Sequence, residues 1–325
     1  MSRPVSAGWA AAARAPEVAG MWLGFVGVVV FALTLPMTRL ATGTSEAPQL
    51  SPWFVTWARA AMAGLLSAVW LAVSRAPWPT GPMRRPLWLS MAGNVIGYPL
   101  LLGWALRHVT ATHAAVITAL LPLTTAVAAA WLMHQRARLG FWACAALGSL
   151  LVVAYSLLRT NQAGQRFGLE WADLLLIGAV LAASVGYVGG AQITPTLGAE
   201  RTISWVCVFA LPLTLSGTWL TWPATGVSTT AWLGLLYVGL FSMWIGFFAW
   251  FRGLALGGAL RVSQLQLLQP FISMVAAVPL LGERIDTMSW GFALLVVVTV
   301  FAGRRLAGPA PSPPTPAHHT HKERP

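Results

Sequence analysis

The chain has 325 residues, of which 57% are hydrophobic and 9% are charged, and its net charge is +12. Because a soluble globular domain carries about 25% charged residues, this composition excludes an ordinary soluble protein, and the high apolar content excludes a disordered one. The basic excess does not indicate a nucleic-acid partner, since the basic residues lie between apolar runs, where positive charge sets membrane topology.

Apolar runs of about 20 residues follow one another along the chain, and this is the length that crosses a bilayer core. No stretch shows the two-residue alternation of a transmembrane β-strand. We therefore predict an all-α integral membrane protein with ten transmembrane helices and the lipid bilayer as its surroundings. The predicted spans, one to ten, cover residues 20–41, 52–74, 86–106, 112–133, 139–158, 171–192, 202–222, 229–251, 260–281 and 287–306.

Both ends of the chain are predicted to lie in the cytoplasm. Residues 1–19 contain charged residues and no apolar core, so we expect a cytoplasmic segment and not a cleaved signal peptide. Residues 307–325 are polar and Pro-rich, which predicts a disordered cytoplasmic tail. In this orientation fourteen of the twenty basic residues face the cytoplasm and five face outside, as the positive-inside rule requires for an inner (plasma) membrane protein.

The two halves of the chain resemble each other at a fixed offset of 148 residues. Between positions 106 and 152, twelve residues are identical to the residue 148 positions later. Apolar bias accounts in part for the Ala, Leu and Val matches, but it accounts much less well for Pro122/Pro270 and Trp142/Trp290. The sequence therefore predicts an internal repeat.

This offset places span four on span nine, so each half holds five spans. The predicted repeats cover residues 20–158 and 171–306. Because five is an odd number, the second half must enter the membrane in the opposite sense. Inverted repeats of this kind build secondary transporters, whose substrate site lies near the midplane where the two repeats meet.

Three motifs resemble those of a known family: Phe31–Arg39 in span one, Pro52–Arg59 in span two and Leu280–Arg284 at the end of span nine. The first-half counterpart of the third motif, Met133–Arg136, departs from the family pattern because a glutamine replaces the acid. With the repeat, these motifs identify the chain as a member of the drug/metabolite transporter superfamily, of the EamA-domain type. The resemblance implies ten spans, built as five plus five, and export of amino acids or related metabolites.

Polar side chains within spans are costly in lipid and are therefore candidates for a binding site. Span four carries Thr118, Pro122 and Thr125 on one stripe, and the repeat offset maps this stripe onto one in span nine with Gln266 and Pro270. Such a proline frees a backbone carbonyl, which must find a partner or line a cavity. The competing interpretation for a single threonine is a bond back to its own helix and a packing role only.

Other spans add further candidates, such as Ser184, three residues before Tyr187 in span six. We expect spans one, three, four, six, eight and nine to line a central cavity, and the family resemblance implies a similar arrangement. The predicted substrate-binding residues are Thr34, Arg59, Asn94, Tyr98, Thr118, Thr125, Tyr187, Ser242, Trp244, Gln266 and Gln269, and the predicted gating or hinge residues are Pro36, Pro122 and Pro270.

Arg59 is the one full charge well inside a predicted span, about 10 Å from the outer end of span two at 1.5 Å per residue. Three interpretations stay open: it snorkels to the outer interface, it bonds helix-end carbonyls, or it contacts an anionic group of a substrate. No acidic residue lies in the middle of any span. This disfavours coupling through a membrane carboxylate. The family resemblance adds a second limit: small multidrug exporters of the same superfamily bind cations through a glutamate in span one, and its absence from span one here disfavours cationic drugs as substrates.

The sequence contains no phosphate-binding G-x-x-x-x-G-K-[ST] motif, no H-E-x-x-H and no G-x-S-x-G. We therefore expect neither an enzyme nor a cofactor or metal site. The predicted function is secondary transport of a small metabolite, an amino acid or a related neutral or zwitterionic compound. We expect export by alternating access, in a monomer or homodimer. The alternative is a membrane-embedded lipid-modifying or scaffolding protein.

Overall fold

A computed structural model describes residues 6–43, 47–105, 117–118, 120–135, 138–162, 171–223, 226–281 and 287–306. Over these residues the chain is helical and holds no β-strand, apart from one isolated bridge between Gly43 and Pro48. The all-α class is therefore confirmed for the described part of the chain. The predicted tail 307–325, the start of predicted span four at 112–116 and the end of the motif at 282–284 lie outside the described residues.

Fourteen α-helices are described, and three segments of other helical type join some of them. Two of these segments are π-helical, Met91–Gly97 and Val238–Ile245, and one is a 3-10 helix, Gln264–Leu268. The α-helices are α1 (Ser6–Ala32), α2 (Thr34–Thr42), α3 (Pro52–Val73), α4 (Gly81–Ser90), α5 (Tyr98–Ala105), α6 (Leu121–Leu132), α7 (Leu139–Gln162), α8 (Trp171–Leu197), α9 (Ala199–Leu220), α10 (Thr229–Tyr237), α11 (Gly246–Gly257), α12 (Ala259–Ser263), α13 (Gln269–Leu281) and α14 (Thr287–Leu306).

The helices include long apolar stretches with apolar outer faces. Large side chains such as Trp22, Val73, Leu174 and Trp219 are more than 60% exposed, as expected where lipid is the solvent. The chain is thus a multi-pass membrane protein, while the number of ten spans stays a prediction. Five stretches are long and apolar enough to cross a membrane, namely Pro16–Thr42, Pro52–Val73, Trp171–Leu197, Ala199–Leu220 and Thr229–Gly257, and shorter apolar helices cover Leu121–Leu132, Leu139–Tyr155 and Trp290–Gly303.

Several helix ends differ from the predicted ones. The sequence predicts a connection over residues 193–201, but α8 continues to Leu197 and α9 begins at Ala199. Gly198 alone makes the turn, with φ at +82°, which glycine adopts without steric cost. Thr194 and Thr202, polar residues typical of a loop, instead bond back to helix carbonyls at 2.8 Å.

Predicted span one is two helices, α1 and α2, separated at Leu33. Pro36 accounts for the break, because it lacks the N–H that would bond the carbonyl of the preceding turn. The Tyr237 hydroxyl, from α10, donates to the carbonyl of Val30 beside the break at 3.1 Å. The interruption is thereby tied to a helix from the other half of the chain.

Glycines let α1 and α11 approach each other closely. A methyl group added at Gly253 would lie 2.6 Å from the backbone nitrogen of Gly24, and one added at Gly20 would overlap the backbone of Gly257. Small residues at such crossings allow the backbone contact that holds helices together in lipid. The crossing fixes α1 against α11, which directly follows the π-helical segment that carries Ser242.

A related crossing joins α8 to the π-helical segment between α4 and α5. A methyl group at Gly186 would lie 2.6 Å from Oδ1 of Asn94. Asn94 lies in the first π-helical segment, and the 148-residue offset maps residues 91–97 onto 239–245, within the second. Long π-helical segments are rare and occur frequently at functional sites, so their occurrence at matching places in both halves directs attention to Asn94 and Ser242.

We predict that Gly253→Ala destabilises the protein by about 1–3 kcal/mol, because the added methyl group overpacks the α1–α11 contact. Thermal unfolding of the purified chain in detergent measures the effect. Gly291→Ala is the matched control, since nothing lies within 4 Å of a methyl group at that position. The control should be neutral or stabilising, and equal melting of the two variants would contradict the assigned crossing.

Candidate functional site

Three polar side chains from different elements meet at Ser242. The hydroxyls of Ser242 and Thr34 share a hydrogen bond of 2.8 Å, and the Arg59 Nη2 donates to the Ser242 hydroxyl at 3.0 Å. Thr34 begins α2, just after the break caused by Pro36, and Arg59 lies two turns into α3. We call these three residues the Ser242 node.

The start of α3 determines how deep Arg59 lies. The Ser51 hydroxyl accepts from the backbone nitrogen of Phe54 at 3.1 Å, and Pro52 occupies the first turn of the helix. This is a strong N-terminal signal, and it fixes Arg59 seven residues after Pro52 in an otherwise apolar helix. The guanidinium therefore points to the Ser242 hydroxyl and not along the helix to the outer interface.

The guanidinium of Arg59 is incompletely paired. Its Nε is buried and has no hydrogen-bond partner. Within the described chain no ion pair involves Arg59, whereas Arg261 pairs with Glu17 and Arg252 with Glu200. Tyr98 and Tyr187 lie within electrostatic range of the Arg59 charge. Two of the predicted tyrosines thus lie around the predicted arginine.

Gln266 is a second incompletely paired group. It lies in the 3-10 segment, is 4% exposed, and neither its Nε2 nor its Oε1 has a hydrogen-bond partner. The hydroxyl of Tyr187 lies near its amide but does not meet hydrogen-bond geometry with it, so Tyr187 connects the surroundings of Gln266 with those of Arg59. An amide buried without partners is costly, and this cost requires an explanation.

Tyr187 also belongs to a packed aromatic group. Its ring centroid lies 5.4 Å from that of Trp250 and 6.1 Å from that of Phe247, and Phe31 packs against both of these residues. Trp250 has no exposed surface, and Phe31 and Phe247 have less than a tenth. These rings fill one another's space, so they support one side of the site as packing.

The predicted residues Asn94 and Thr125 form hydrogen bonds to serine hydroxyls outside the Ser242 node. The Asn94 Nδ2 donates to the Ser90 hydroxyl at 3.2 Å, while its Oδ1 is buried without a partner. Thr125 shares a 3.3 Å hydrogen bond with Ser184, and Ser184 donates to the carbonyl of Val180 at 2.8 Å. The contact of Thr125 is therefore of the helix-packing kind, whereas Asn94 keeps one free acceptor atom.

Three further predicted residues are Trp244, Thr118 and Gln269. The Trp244 indole donates to the Ser204 hydroxyl of α9 at 3.2 Å, away from the Ser242 node. Thr118 is half-buried before α6, and Gln269 is half-buried as the first residue of α13. The role of these three residues as substrate ligands stays a prediction.

The three predicted hinge prolines occupy helix beginnings. Pro36 is the third residue of α2, Pro122 the second of α6 and Pro270 the second of α13. Proline is favoured in the first turn because its missing N–H has no partner there. Each proline thus ends one helical segment and allows another to begin, and a hinge function stays a prediction.

Two polar residues of this region, Ser67 and Thr124, are not singled out in the sequence analysis. Ser67 lies beside Cys207, which is within electrostatic range of Arg59. Thr124 shares a 2.7 Å hydrogen bond with Ser184. Ser67 follows Arg59 by eight residues on the same helix face, and this period was a usable signal. The sequence does not indicate which of the adjacent threonines Thr124 and Thr125 would contact Ser184 more closely, because the two side chains have the same chemistry.

Polar contacts join the two halves of the chain around the beginning of α12. Nη1 of Arg261 lies 2.6 Å from Oε2 of Glu17, and these side chains are 12% and 29% exposed. The amide oxygen of Gln135 accepts from the backbone nitrogen of Leu260 at 3.3 Å, at the beginning of α12. Gln135 is the residue that departs from the family motif, and it retains an acceptor oxygen there.

Comparisons with known proteins agree with this architecture. The profile of the EamA-like transporter family matches residues 18–157 and 170–302, so the family domain occurs twice. The uncharacterized transporter YdeK of Bacillus subtilis is 40% identical over 88% of this chain and 97% of its own. The aromatic amino acid exporter YddG of Ancylobacter novellus is 24% identical over 77% of this chain and 87% of its own. A crystal structure with 20% identity aligns with a TM-score of 0.72 over 89% of this chain and 99% of its own, and shares the fold.

We predict that Ser242→Ala destabilises the protein by about 1–3 kcal/mol, because it removes the described acceptor of a charged guanidinium. The matched control is Ser216→Ala, whose hydroxyl is exposed and bonds only its own helix. That variant should stay within about 0.5 kcal/mol of the parent. Thermal unfolding in detergent measures both. A Ser242 variant as stable as the control would contradict a stabilising role of the hydrogen bonds at Ser242.

Proposed function

Because this chain belongs to the EamA-like transporter family, we propose that it is a secondary transporter that moves a small metabolite by alternating access. The observation that carries the proposal is the Ser242 node with Gln266, a set of incompletely paired polar groups among apolar helices. Such groups are expensive inside a membrane and are kept where a substrate passes. The relatives that match most of the chain are named as transporters or exporters.

The topology that we propose has ten spans in two inverted repeats. Five long stretches supply five passes. The interrupted rods α4–α5 and α12–α13, with α6, α7 and α14, would supply the other five. The distribution of basic residues supports both termini in the cytoplasm and an inner-membrane location. The matching π-helical segments support the repeat.

We propose that the substrate is an amino acid or a related neutral or zwitterionic compound, and that transport is outward. The distant similarity to an aromatic amino acid exporter supports both points. Hydroxyl and amide groups, as in Thr34, Ser242 and Gln266, suit a ligand with donors and acceptors. A cation is disfavoured because none of the eight acidic residues lies mid-span.

In this proposal the Glu17–Arg261 pair belongs to the cytoplasmic closure. It joins Glu17 of α1 to α12, and α12 leads directly into the segment that carries Gln266. Opening of that end would break the pair in every transport cycle. Because the pair is partly buried, a change that leaves one partner unpaired costs more than it would at an exposed pair.

We predict that Gln266→Met abolishes or strongly lowers transport and leaves the melting temperature unchanged or raised. The substitution conserves volume and removes two buried polar atoms without partners, which lowers the cost of folding. Efflux of the twenty protein amino acids and a set of nucleosides from proteoliposomes, followed by mass spectrometry, measures transport. A merely structural glutamine would give the reverse pattern, with lower stability and unaltered flux. Flux of none of these solutes by the parent protein would refute transport of amino acids.

We predict that charge reversal by Arg261→Glu lowers flux about tenfold or more, since it places two carboxylates together at the closed end. The double variant with Glu17→Arg should recover most of the flux. The exposed pair Arg252–Glu200, 4.0 Å apart with side chains 60% and 37% exposed, offers the control reversal. It should have little effect, and a double variant no better than Arg261→Glu would exclude this closure.

A further inference from the structure

We propose that Arg59 is the specificity-determining residue of the site and binds a carboxylate group of the transported metabolite. This inference rests on the proposed transport function and names the chemical group that the site selects. The starting observation is the buried Nε of Arg59, which has no acceptor, beside an Nη2 that donates to the Ser242 hydroxyl. A guanidinium carries five N–H donors in a rigid plane, so a single hydroxyl leaves most of it unsatisfied.

The contrast with Arg261 separates a structural arginine from a binding one. Arg261 has a side chain only 12% exposed, and the chain supplies it with the carboxylate of Glu17 at 2.6 Å. Arg59 is given no carboxylate by the described residues, and its best acceptor is a neutral hydroxyl. Since a charge away from water needs a counter-charge, and the described residues supply none to Arg59, a bound ligand is the proposed source of the anion.

The type of anion follows from the number of charges. Arg59 is the one full charge well inside a predicted span, and the only lysine of the chain is Lys322. A single positive charge matches a monoanion, whereas a phosphate dianion would need more. The guanidinium plane also matches a carboxylate, which accepts two parallel N–H bonds. The Nε–H and the neighbouring N–H of Arg59 offer such an edge.

Neighbouring groups extend this site to an amino acid. Tyr98 and Tyr187 lie within electrostatic range of Arg59, and each hydroxyl can donate to a carboxylate. Tyr187 also lies beside Gln266, whose Oε1 is buried without a donor. An ammonium group supplies three donors, so the Oε1 of Gln266 suits the α-amino end of a ligand whose carboxylate is bound to Arg59.

The test compares each acid with its own carboxamide. Proteoliposomes with the full chain are loaded with the twenty protein L-amino acids or with the carboxamide of each, and nucleosides serve as solutes without a carboxylate. We expect the parent protein to release at least one amino acid about tenfold or more faster than its carboxamide, since a charge-assisted bond distinguishes them. Arg59→Gln should bring this ratio near one, mainly by slowing the acid.

Two further variants separate charge and geometry from folding. Arg59→Lys keeps the charge but loses the bidentate edge, so it should give an intermediate ratio. Arg39→Gln, at an exposed arginine of α2, should keep the parent ratio. The ratio of acid to carboxamide release by the parent protein is measured without any variant. Melting temperatures identify a variant that fails to fold.

The outcomes also separate this inference from transport as such. Release of carboxamides or nucleosides as fast as acids by the parent would overturn the role of Arg59 and leave transport standing. A preference for acids that survives Arg59→Gln would do the same. A parent protein that releases no solute at all would instead count against the proposed function.

Discussion

The absence of water from the bilayer interior is the constraint that shapes this protein. Every backbone N–H and C=O there needs a partner within the protein, so each departure from regular helix has to be repaired. The break between α1 and α2 is repaired by Tyr237, whose hydroxyl donates to the carbonyl of Val30. The amide of Gln192 does the same for the carbonyl of Leu132 at the end of α6, at 2.8 Å. Both repairs reach across to a helix from the other half, so irregular backbone and contact between the halves occur together.

The side chains that are not repaired are informative for the same reason. Gln266 has two buried atoms without partners, and Asn94 and Arg59 have one each. Tyr187 lies near the amide of Gln266 and within electrostatic range of Arg59, which suggests a common cause. Natural proteins commonly retain such local costs where function requires them. Ser149 also has an unpaired buried hydroxyl, for which the structure offers no explanation.

The sequence predicts the helical class and singles out individual polar residues within apolar runs, because both depend on local composition. Arg59 stands out as a charge in an apolar run, and Gln266 as an amide in another. Their neighbours could not be predicted, since Ser242 lies 208 residues from Thr34 and 183 from Arg59, and no local period links such positions. The π-helical segments are equally invisible, because hydrophobic periodicity does not distinguish them from α-helix. The separation of Trp244 from Ser242 could have been predicted, since residues two apart on a helix are turned by about 200° and face opposite sides.

The two halves share a backbone plan but not its chemistry. At the repeat offset Arg59 corresponds to Cys207, and α3 and α9 pack so closely that a methyl group at Gly64 would lie 3.1 Å from the carbonyl oxygen of Cys207. The charge therefore sits on one half only, on a helix held tightly against its symmetry mate. Gln266, in contrast, follows Arg261 by five residues, and Arg261 forms the closed end with Glu17. In the proposed cycle a ligand would stay bound to Arg59 on the rigid pair of helices, while release of the ion pair moves Gln266. The carboxylate would then provide affinity in both states, and the contact with Gln266 would be the one that distinguishes them, as coupling between a ligand and a conformational change requires.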